Sequence, residues 1–260
     1  LKVQSWIFLS MNSPSKNPEK LFDELFKFNE VYGIFVITGS DDLALKIFTY
    51  DIAGATNFIL HLENTYKNII KSSSLSFATK RYKTHHVILD PENVENGLNK
   101  TDFELLKILK DNPNLSIKEI SSQLGVHRNT VSTRIQKLFD EKIILKKSTR
   151  VSPEYYDDIG ISFRAIMKID AKTGEIDKLA KKLADLDEIH ELVTINAKHD
   201  ILAIVRTKTI EDYYNLSRKL HSDPEFTELV DDTNSSVILK GRTESPKFLD
   251  QIFQTEPKKI

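Results

Sequence analysis

The side chains best suited to chemistry lie between residues 127 and 150. This stretch holds seven Lys and Arg residues against two acidic ones, although the whole chain has a formal net charge of −1. Its polar residues at helical spacing include Arg128, Asn129, Ser132, Thr133 and Gln136. Guanidinium and amide groups match the hydrogen-bonding edges of guanine and adenine, and clustered cations attract phosphate. The stretch therefore predicts contact with nucleic acid.

A helix with one buried side must position these groups. Val131, Ile135 and Leu138 recur at helical spacing and are predicted to face inward. The preceding segment "SIKEISSQLG" predicts a helix capped by Ser116 and Glu119, with Ile117, Ile120 and Leu124 inward and Gly125 at its end. Before it, "TDFELLKILKD" predicts a helix opened by a capping box at Thr101.

Two helices joined by a short glycine-containing turn are typical of a helix-turn-helix. From pattern and charge alone, two other interpretations stay open. A basic amphipathic helix is commonly a solvated surface, and three-helix units also serve as dimerisation modules.

Composition limits the remaining classes. The chain has 260 residues, of which 40% are hydrophobic and 29% charged, which is the balance of a globular protein. Its apolar runs are far shorter than the roughly 18 residues that a membrane-spanning helix needs, so no membrane association is expected. Cysteine is absent, which excludes disulfides and thiolate chemistry and fits a cytoplasmic location.

The chain also contains an internal repeat. An ungapped comparison of residues 20–62 with residues 178–220 gives ten identical pairs, among them Asp42 with Asp200 and Thr49 with Thr207. The apolar pattern is preserved as well. Two copies are too few for a solenoid, so the repeat indicates two similar small domains.

Each copy predicts the element order βαββαβ, with helices on one face of an antiparallel sheet. The predicted fold class is therefore α+β, with two ferredoxin-like βαββαβ domains flanking a helix-turn-helix domain. The second face of each sheet is left bare. We expect these faces to pair, either within one chain or between chains.

The segment "LSIKEISSQLGVHRNTVSTRIQKLFDEKII" followed by "VSPEYYDDIG" resembles the helix-turn-helix of the Lrp/AsnC family of transcriptional regulators. The match rests on Thr130, Val131, Arg134, Ile135 and Leu138, and on Val151 and Pro153. Residues 163–241 resemble that family's RAM domain, which senses effectors and forms oligomers. The resemblance implies a sequence-specific DNA-binding transcriptional regulator modulated by an amino acid or related metabolite.

The resulting domain prediction is a RAM-like domain at 1–82, a linker at 83–100, a winged helix-turn-helix DNA-binding domain at 101–152, a RAM domain at 153–241 and a tail at 242–260. The expected partners are double-stranded DNA and a second copy of the chain, as a homodimer or higher even oligomer through the RAM sheets. The predicted DNA-binding residues are Arg128, Asn129, Thr130, Ser132, Thr133, Arg134, Gln136, Lys137, Lys146 and Lys147.

The resemblance also implies an effector site at the turn between the second and third strands of a RAM domain. The first copy keeps the family's glycine and aspartate there, and the second keeps only the aspartate. The predicted effector-binding residues are Thr38, Gly39, Ser40, Asp42 and Asp200. The alternative is that Gly39 serves only the turn. We expect the first copy to bind the effector and the second chiefly to assemble the oligomer.

The sequence departs from the family in three ways. His127 stands where a small capping residue is usual, so we expect the helix start to depend on Asn129 or on a different local geometry. Lys142 replaces a usual glycine. The RAM-like copy ahead of the helix-turn-helix is additional.

Two alternative functions stay open at this stage. One is an enzyme resembling the siroheme decarboxylases, which use paired RAM-like units, and the other is a chromatin-like DNA-compacting protein without effector control. The basic helix argues against the enzyme, because such an enzyme needs no surface that reads a DNA groove. No cofactor and no catalytic residue is predicted. The seven histidines show no zinc-ligand spacing, so no metal is expected.

Overall fold

The computed structural model describes residues 3–12, 18–84, 98–141, 143, 144, 156 and 158–243. It divides into two compact units. One contains the described residues before position 86 and after position 150, and the other contains the described residues between 86 and 150. Lys142, Lys146, Lys147, Val151 and Pro153 lie outside the described residues, as do residues 85–97 of the predicted linker and residues 244–260 of the tail.

The first half of the larger unit has the predicted order βαββαβ. It contains β1 (Val3–Met11), α1 (Pro18–Leu25), β2 (Val31–Ile37), β3 (Leu43–Thr49), α2 (Ile52–Thr65) and β4 (Ile70–Lys83). Strand β4 ends at Lys83, the first residue assigned to the linker.

The smaller unit contains three helices, α3 (Lys100–Asp111), α4 (Ile117–Leu124) and α5 (Arg128–Asp140). They pack around Leu105, Ile120, Val131, Leu138 and Ile143, so most of the predicted inward positions are confirmed. Ile117 is the exception. It is 42% exposed, because it is the first residue of α4 and lies beyond the core.

The start of α3 also differs from the prediction. The capping box is formed by Asn99 and Asp102, and Thr101 lies inside the helix. Asn99 is the better N-cap because its amide oxygen accepts the Asp102 N–H at 3.0 Å while the Asp102 carboxylate accepts the Asn99 N–H at 3.1 Å. The predicted box of Ser116 and Glu119 on α4 and the left-handed Gly125 at its end are confirmed.

The second half of the larger unit repeats the first. It contains β5 (Phe163–Ala171), α6 (Ile176–Ala184), β6 (Ile189–Asn196), β7 (Ile201–Thr207), α7 (Ile210–Ser222), α8 (Pro224–Thr227) and β8 (Val230–Thr243). Strands β2 and β6 begin 158 residues apart, and so do β3 and β7. The structure thus carries the repeat found in the sequence.

The two halves close into one antiparallel barrel with the strand order β1-β3-β2-β8-β5-β7-β6-β4. Closure comes from two pairings between halves, β2 with β8 and β4 with β6. Every strand therefore has two hydrogen-bonded neighbours from its own chain. The expected pairing of the two sheets thus takes place within one chain, and the homodimer or higher even oligomer stays a prediction.

Apolar side chains fill both sides of the barrel wall. Helices α1 and α2 cover one core outside the first half, and α6, α7 and α8 cover a similar core outside the second. A third cluster fills the interior and includes Trp6, Phe8, Ile166 and Leu202. Trp6 is fully buried, as its place in an apolar strand predicts. Among the residues described, no helix is long and apolar enough to cross a membrane.

Candidate functional site

Helix α5 begins at a histidine that serves as its cap. The Nδ1 atom of His127 accepts the Asn129 N–H at 3.3 Å, and His127 has extended backbone angles. Of the two expected alternatives, a different local geometry is the one observed: the His127 side chain itself is the acceptor, and Asn129 contributes only its backbone N–H. Nδ1 can accept this hydrogen bond only in the tautomer that carries its proton on Nε2.

The two sides of α5 differ as the sequence predicts. Val131 and Leu138 are buried, and Ile135 packs partly buried beside them. The opposite side presents exposed polar side chains, namely Arg128, Asn129, Thr130, Ser132 and Thr133. Five donors and acceptors of differing chemistry thus project from the first two turns of one helix, which is the part that enters a groove in helix-turn-helix proteins.

Arg134 has a structural partner. Its guanidinium donates to Asp102 at 2.7 Å, and the Asp102 side chain is only 4% exposed. Asp102 also accepts the Asn99 N–H with its other oxygen, so one carboxylate caps α3 and holds α5. Arg134 therefore fixes the position of the recognition helix instead of extending freely from it.

The remaining predicted DNA contacts on α5 take part in surface pairs one turn apart. Gln136 donates to Asp140 at 2.8 Å, and Lys137 lies 3.5 Å from Glu141. Such exposed pairs contribute little and exchange readily for other partners. Lys146 and Lys147 lie outside the described residues.

The Gly39 turn joins β2 to β3 beside strand β8. Gly39 has a φ of +113°, a conformation that other residues rarely adopt, so glycine meets a conformational requirement here. Thr38 pairs with Val237 through its backbone N–H and through its hydroxyl, each at 3.0 Å. Ser40 is exposed and accepts the Ser10 hydroxyl at its carbonyl oxygen.

The repeated aspartates share a structural role. Asp42 accepts the Met11 N–H at 2.6 Å, and Asp200 accepts the Ala171 N–H at 2.9 Å. Each of these amides lies where the strand slips register against its neighbour, at the end of β1 or of β5. The two aspartates thus accept hydrogen bonds from backbone N–H groups that have no partner in the neighbouring strand.

The two turns differ in their charged neighbours. Beside Gly39, Asp41 forms an ion pair of 3.4 Å with Lys168 of the second half. At the corresponding place in the second half, His199 lies 3.0 Å from Asp170. The copies have therefore diverged at the predicted effector turn in more than the glycine.

Sequence reasoning missed a polar cluster inside the barrel. The ammonium of Lys46 lies 2.5 Å from Glu191, and both side chains are almost fully buried. Gln4 donates to the same carboxylate at 3.0 Å and accepts the Arg81 Nε–H at 3.0 Å. The available signal was one acidic or basic residue in each of two strands that are largely buried, "LALKIFT" and "IHELVTIN".

Comparisons with known proteins match both units. A winged helix-turn-helix DNA-binding model matches residues 98–144, and the Lrp/AsnC ligand binding domain model matches residues 164–248.

Three relatives are named as HTH-type transcriptional regulators. The chain is 28% identical over 151 residues to the HTH-type transcriptional regulator FL11 of Pyrococcus horikoshii, covering 58% of this chain and 95% of that protein. It is 31% identical over 114 residues to the HTH-type transcriptional regulator Ptr1 of Methanocaldococcus jannaschii, covering 44% and 75%. An uncharacterized HTH-type transcriptional regulator of Pyrococcus furiosus is 32% identical over 117 residues, covering 44% and 77%.

Proposed function

The chain belongs to the Lrp/AsnC family and is a DNA-binding transcriptional regulator, and from this premise we propose that it reads DNA with the exposed side of α5 under the control of a ligand bound by its barrel unit. The observation that carries the DNA-reading role is the exposure of Arg128, Asn129, Ser132 and Thr133 opposite the buried Val131 and Leu138. The enzyme and the DNA-compacting alternatives are not favoured by these relatives.

In this proposal the contacts divide by role. Arg128 and Asn129 pair with base edges in the major groove, and Thr130, Ser132 and Thr133 contact bases or phosphates. Arg134 acts through its ion pair with Asp102, which holds α5 in position against α3. Gln136 and Lys137 lie one turn further along and, with Lys146 and Lys147, contact the phosphate backbone.

We further propose that two RAM domains flank the helix-turn-helix unit and that they form within one chain the pairing that separate subunits would otherwise supply. One chain then carries one reading helix. Recognition of two half-sites in successive major grooves, about 34 Å apart, needs two chains. Because the barrel strands are already paired, those chains meet through surfaces other than the sheet edges.

The effector proposal centres on the Gly39 turn. The backbone N–H groups of Gly39 and Ser40 and the hydroxyl of Thr38 offer donors to the carboxylate of an amino acid, and the lack of a side chain at Gly39 lets the ligand approach the backbone. Asp42 and Asp200 take part by holding the strand ends next to each turn. A ligand that binds one arrangement of the two chains more tightly than another shifts the population toward that arrangement, and this shift would change the affinity for DNA.

Footprinting of the full chain on genomic fragments, followed by binding titrations, tests the DNA-reading role. Discrete protected sites are expected, and Arg128→Ala should cost about 1–3 kcal/mol of discrimination against the wrong base. Lys107→Ala removes the same charge from the exposed side of α3 and serves as the matched control. Uniform coverage of DNA, or equal losses for both variants on all sequences, would contradict the proposal.

Sedimentation tests the assembly. A two-chain species at micromolar concentration, or on DNA carrying two half-sites, is expected. A chain that stays monomeric in both conditions would contradict recognition of two half-sites.

A further inference from the structure

The outer face of helix α2 is apolar and almost free of charged side chains. Tyr50, which precedes the helix, and Ile52 and Leu60 on it are 49–59% exposed. Glu63 is the only Asp, Glu, Lys or Arg residue in α2, and its carboxylate accepts the hydroxyl of Ser73 on β4. The exposed side of α2 therefore presents mainly apolar and neutral polar groups to solvent.

The other long helices on the barrel differ from α2 in this respect. Helices α1, α6 and α7 are each shorter than α2, and each contains four Asp, Glu, Lys or Arg residues against the one in α2. A helix on the surface of a protein normally places such residues on its solvent side. A helix that instead exposes apolar side chains indicates a face that another molecule covers.

The repeat provides an internal comparison, because α7 has the place of α2 in the second half. Ile52 corresponds to Ile210, and both are exposed. Helix α7 also exposes Tyr214, but Arg218 stands where α2 has Leu60. The two halves thus share an exposed isoleucine at the helix start, and only α2 lacks charged residues around it.

A second copy of the chain is the partner that fits this face. All eight strands are hydrogen-bonded on both sides within the chain, so two chains cannot associate by adding strand to strand. In a twofold contact the same patch of each chain faces itself, so a charge near the axis meets a like charge. The α2 face meets itself without that repulsion, because its exposed groups are mainly apolar or neutral.

We propose that two copies of the chain associate through the α2 faces of their barrels, with the two α2 helices packed against each other about a twofold axis. Tyr50, Ile52 and Leu60 of each chain lie in this contact, and α7 takes no part in it. The inference rests on the proposed recognition of two half-sites, for which it names the contact between the chains.

The size of the face determines the strength of the contact. A helix of 14 residues is about 21 Å long and about 10 Å wide with its side chains. Its exposed side is therefore smaller than the roughly 800 Å² per partner of a standard interface. We expect weak association of the free chain, which is strengthened when two half-sites on one DNA molecule hold two chains close together.

Sedimentation equilibrium of the full chain, at concentrations up to about 0.3 mM, tests the contact. The native chain should associate reversibly to a dimer. Leu60→Arg gives α2 the residue that α7 has, and it should weaken this association at least tenfold. Leu239→Arg makes the same change at another exposed leucine, on β8, and should leave the association unchanged. Circular dichroism should show native helix content for both variants.

Cross-linking locates the contact, and the absence of native cysteine makes it specific. Thr56 is exposed midway between Ile52 and Leu60, and its hydroxyl is bonded to the Ile52 carbonyl of its own helix. Thr56→Cys places one thiol of each chain in the proposed contact, so a short bismaleimide should give a covalent dimer. Tyr214→Cys, at the corresponding position of α7, should not.

DNA binding separates this inference from the proposed reading of DNA. A fragment with two half-sites, identified by footprinting, should bind the native chain cooperatively. Leu60→Arg should lose the cooperativity and keep the affinity for one half-site. If the native chain protects no discrete sites, the DNA-reading role fails, and sedimentation and cross-linking still decide whether the α2 faces meet.

Four other outcomes overturn the inference. A native chain that stays monomeric and binds two half-sites independently would exclude a second copy. Association that Leu60→Arg leaves intact, or equal cross-linking of Tyr214→Cys, would place the contact elsewhere. A Thr56→Cys thiol that reacts slowly even in the dilute monomer would show that another segment of the same chain covers the face.

Discussion

The buried ion pair between Lys46 and Glu191 predicts how strongly one half of the barrel depends on the other. Lys46 belongs to the first half and Glu191 to the second, and the side chains are 1% and 6% exposed. Rings of Trp6, Tyr32 and Phe48 surround the ammonium at 5.1 to 5.8 Å. Burial lowers the pKa of Lys46, and the attraction of Glu191 opposes that shift.

Glu191→Gln keeps the shape of the side chain and removes its charge. The Lys46 ammonium is then buried beside a neutral amide, and breaking a buried pair in this way costs about 3–5 kcal/mol. For a unit of this size the melting temperature should fall by about 6–20 °C. The double variant Lys46→Met with Glu191→Met replaces the pair by apolar groups and should lie within about 1 kcal/mol of the native protein or above it.

Calorimetry and urea unfolding of the full chain measure both quantities. Lys80→Ala is the matched control, because Lys80 and Asp177 form a second ion pair between the halves, at 2.6 Å, with both side chains more than half exposed. That variant should leave the unfolding midpoint nearly unchanged. The reasoning is refuted if Glu191→Gln unfolds like the native protein, or if the double variant is less stable than the single one.

Three further predictions follow from individual contacts. Arg134→Ala leaves the buried Asp102 carboxylate without its cation and should destabilise the helix-turn-helix unit by about 2 kcal/mol, with weaker binding to all DNA sequences. Lys137→Ala should not destabilise the unit. Circular dichroism during unfolding and DNA-binding titrations would distinguish the two variants. Gly39→Ala places a side chain at a φ of +113° and should cost about 1–2 kcal/mol in urea unfolding, whereas Ala197→Gly should cost less. Asp42→Ala and Asp200→Ala should each lower the free energy of unfolding by about 1–2 kcal/mol, because each leaves one backbone N–H without a hydrogen-bond acceptor. A marked difference between the two losses would refute the shared role of the two aspartates.

Features encoded locally could be predicted from the sequence. The offset of 158 residues located β3 and β7 correctly, because apolar alternation and a duplicated turn are short-range signals. The cap of α4 followed from Ser116 and Glu119 in the same way. At α3 the predicted box at Thr101 is wrong, because Asn99, two residues earlier, forms the box with Asp102.

Features that depend on long-range pairing could not be predicted. Arg134 is of a residue type that commonly contacts DNA, and only the packing of α3 against α5 shows that it forms an ion pair with Asp102. Likewise Arg164 and Arg206 are unremarkable strand residues until β5 and β7 lie side by side in a closed barrel. Whether these two side chains become neighbours depends on the order of strands in the sheet, and the periodicity of apolar residues in the sequence does not specify that order.

Joining the two halves in one chain has a consequence for chemistry inside the barrel. In a barrel made from two identical chains, every interior position occurs twice, so a buried lysine would be accompanied by a second one across the axis. Here Lys46 corresponds to Ile204 and Glu191 corresponds to Gly33, so one ion pair is buried on one side only. Covalent linkage of two halves that differ in sequence thus permits one barrel to bury a lysine opposite a glutamate once, without a second copy of either charge across the axis.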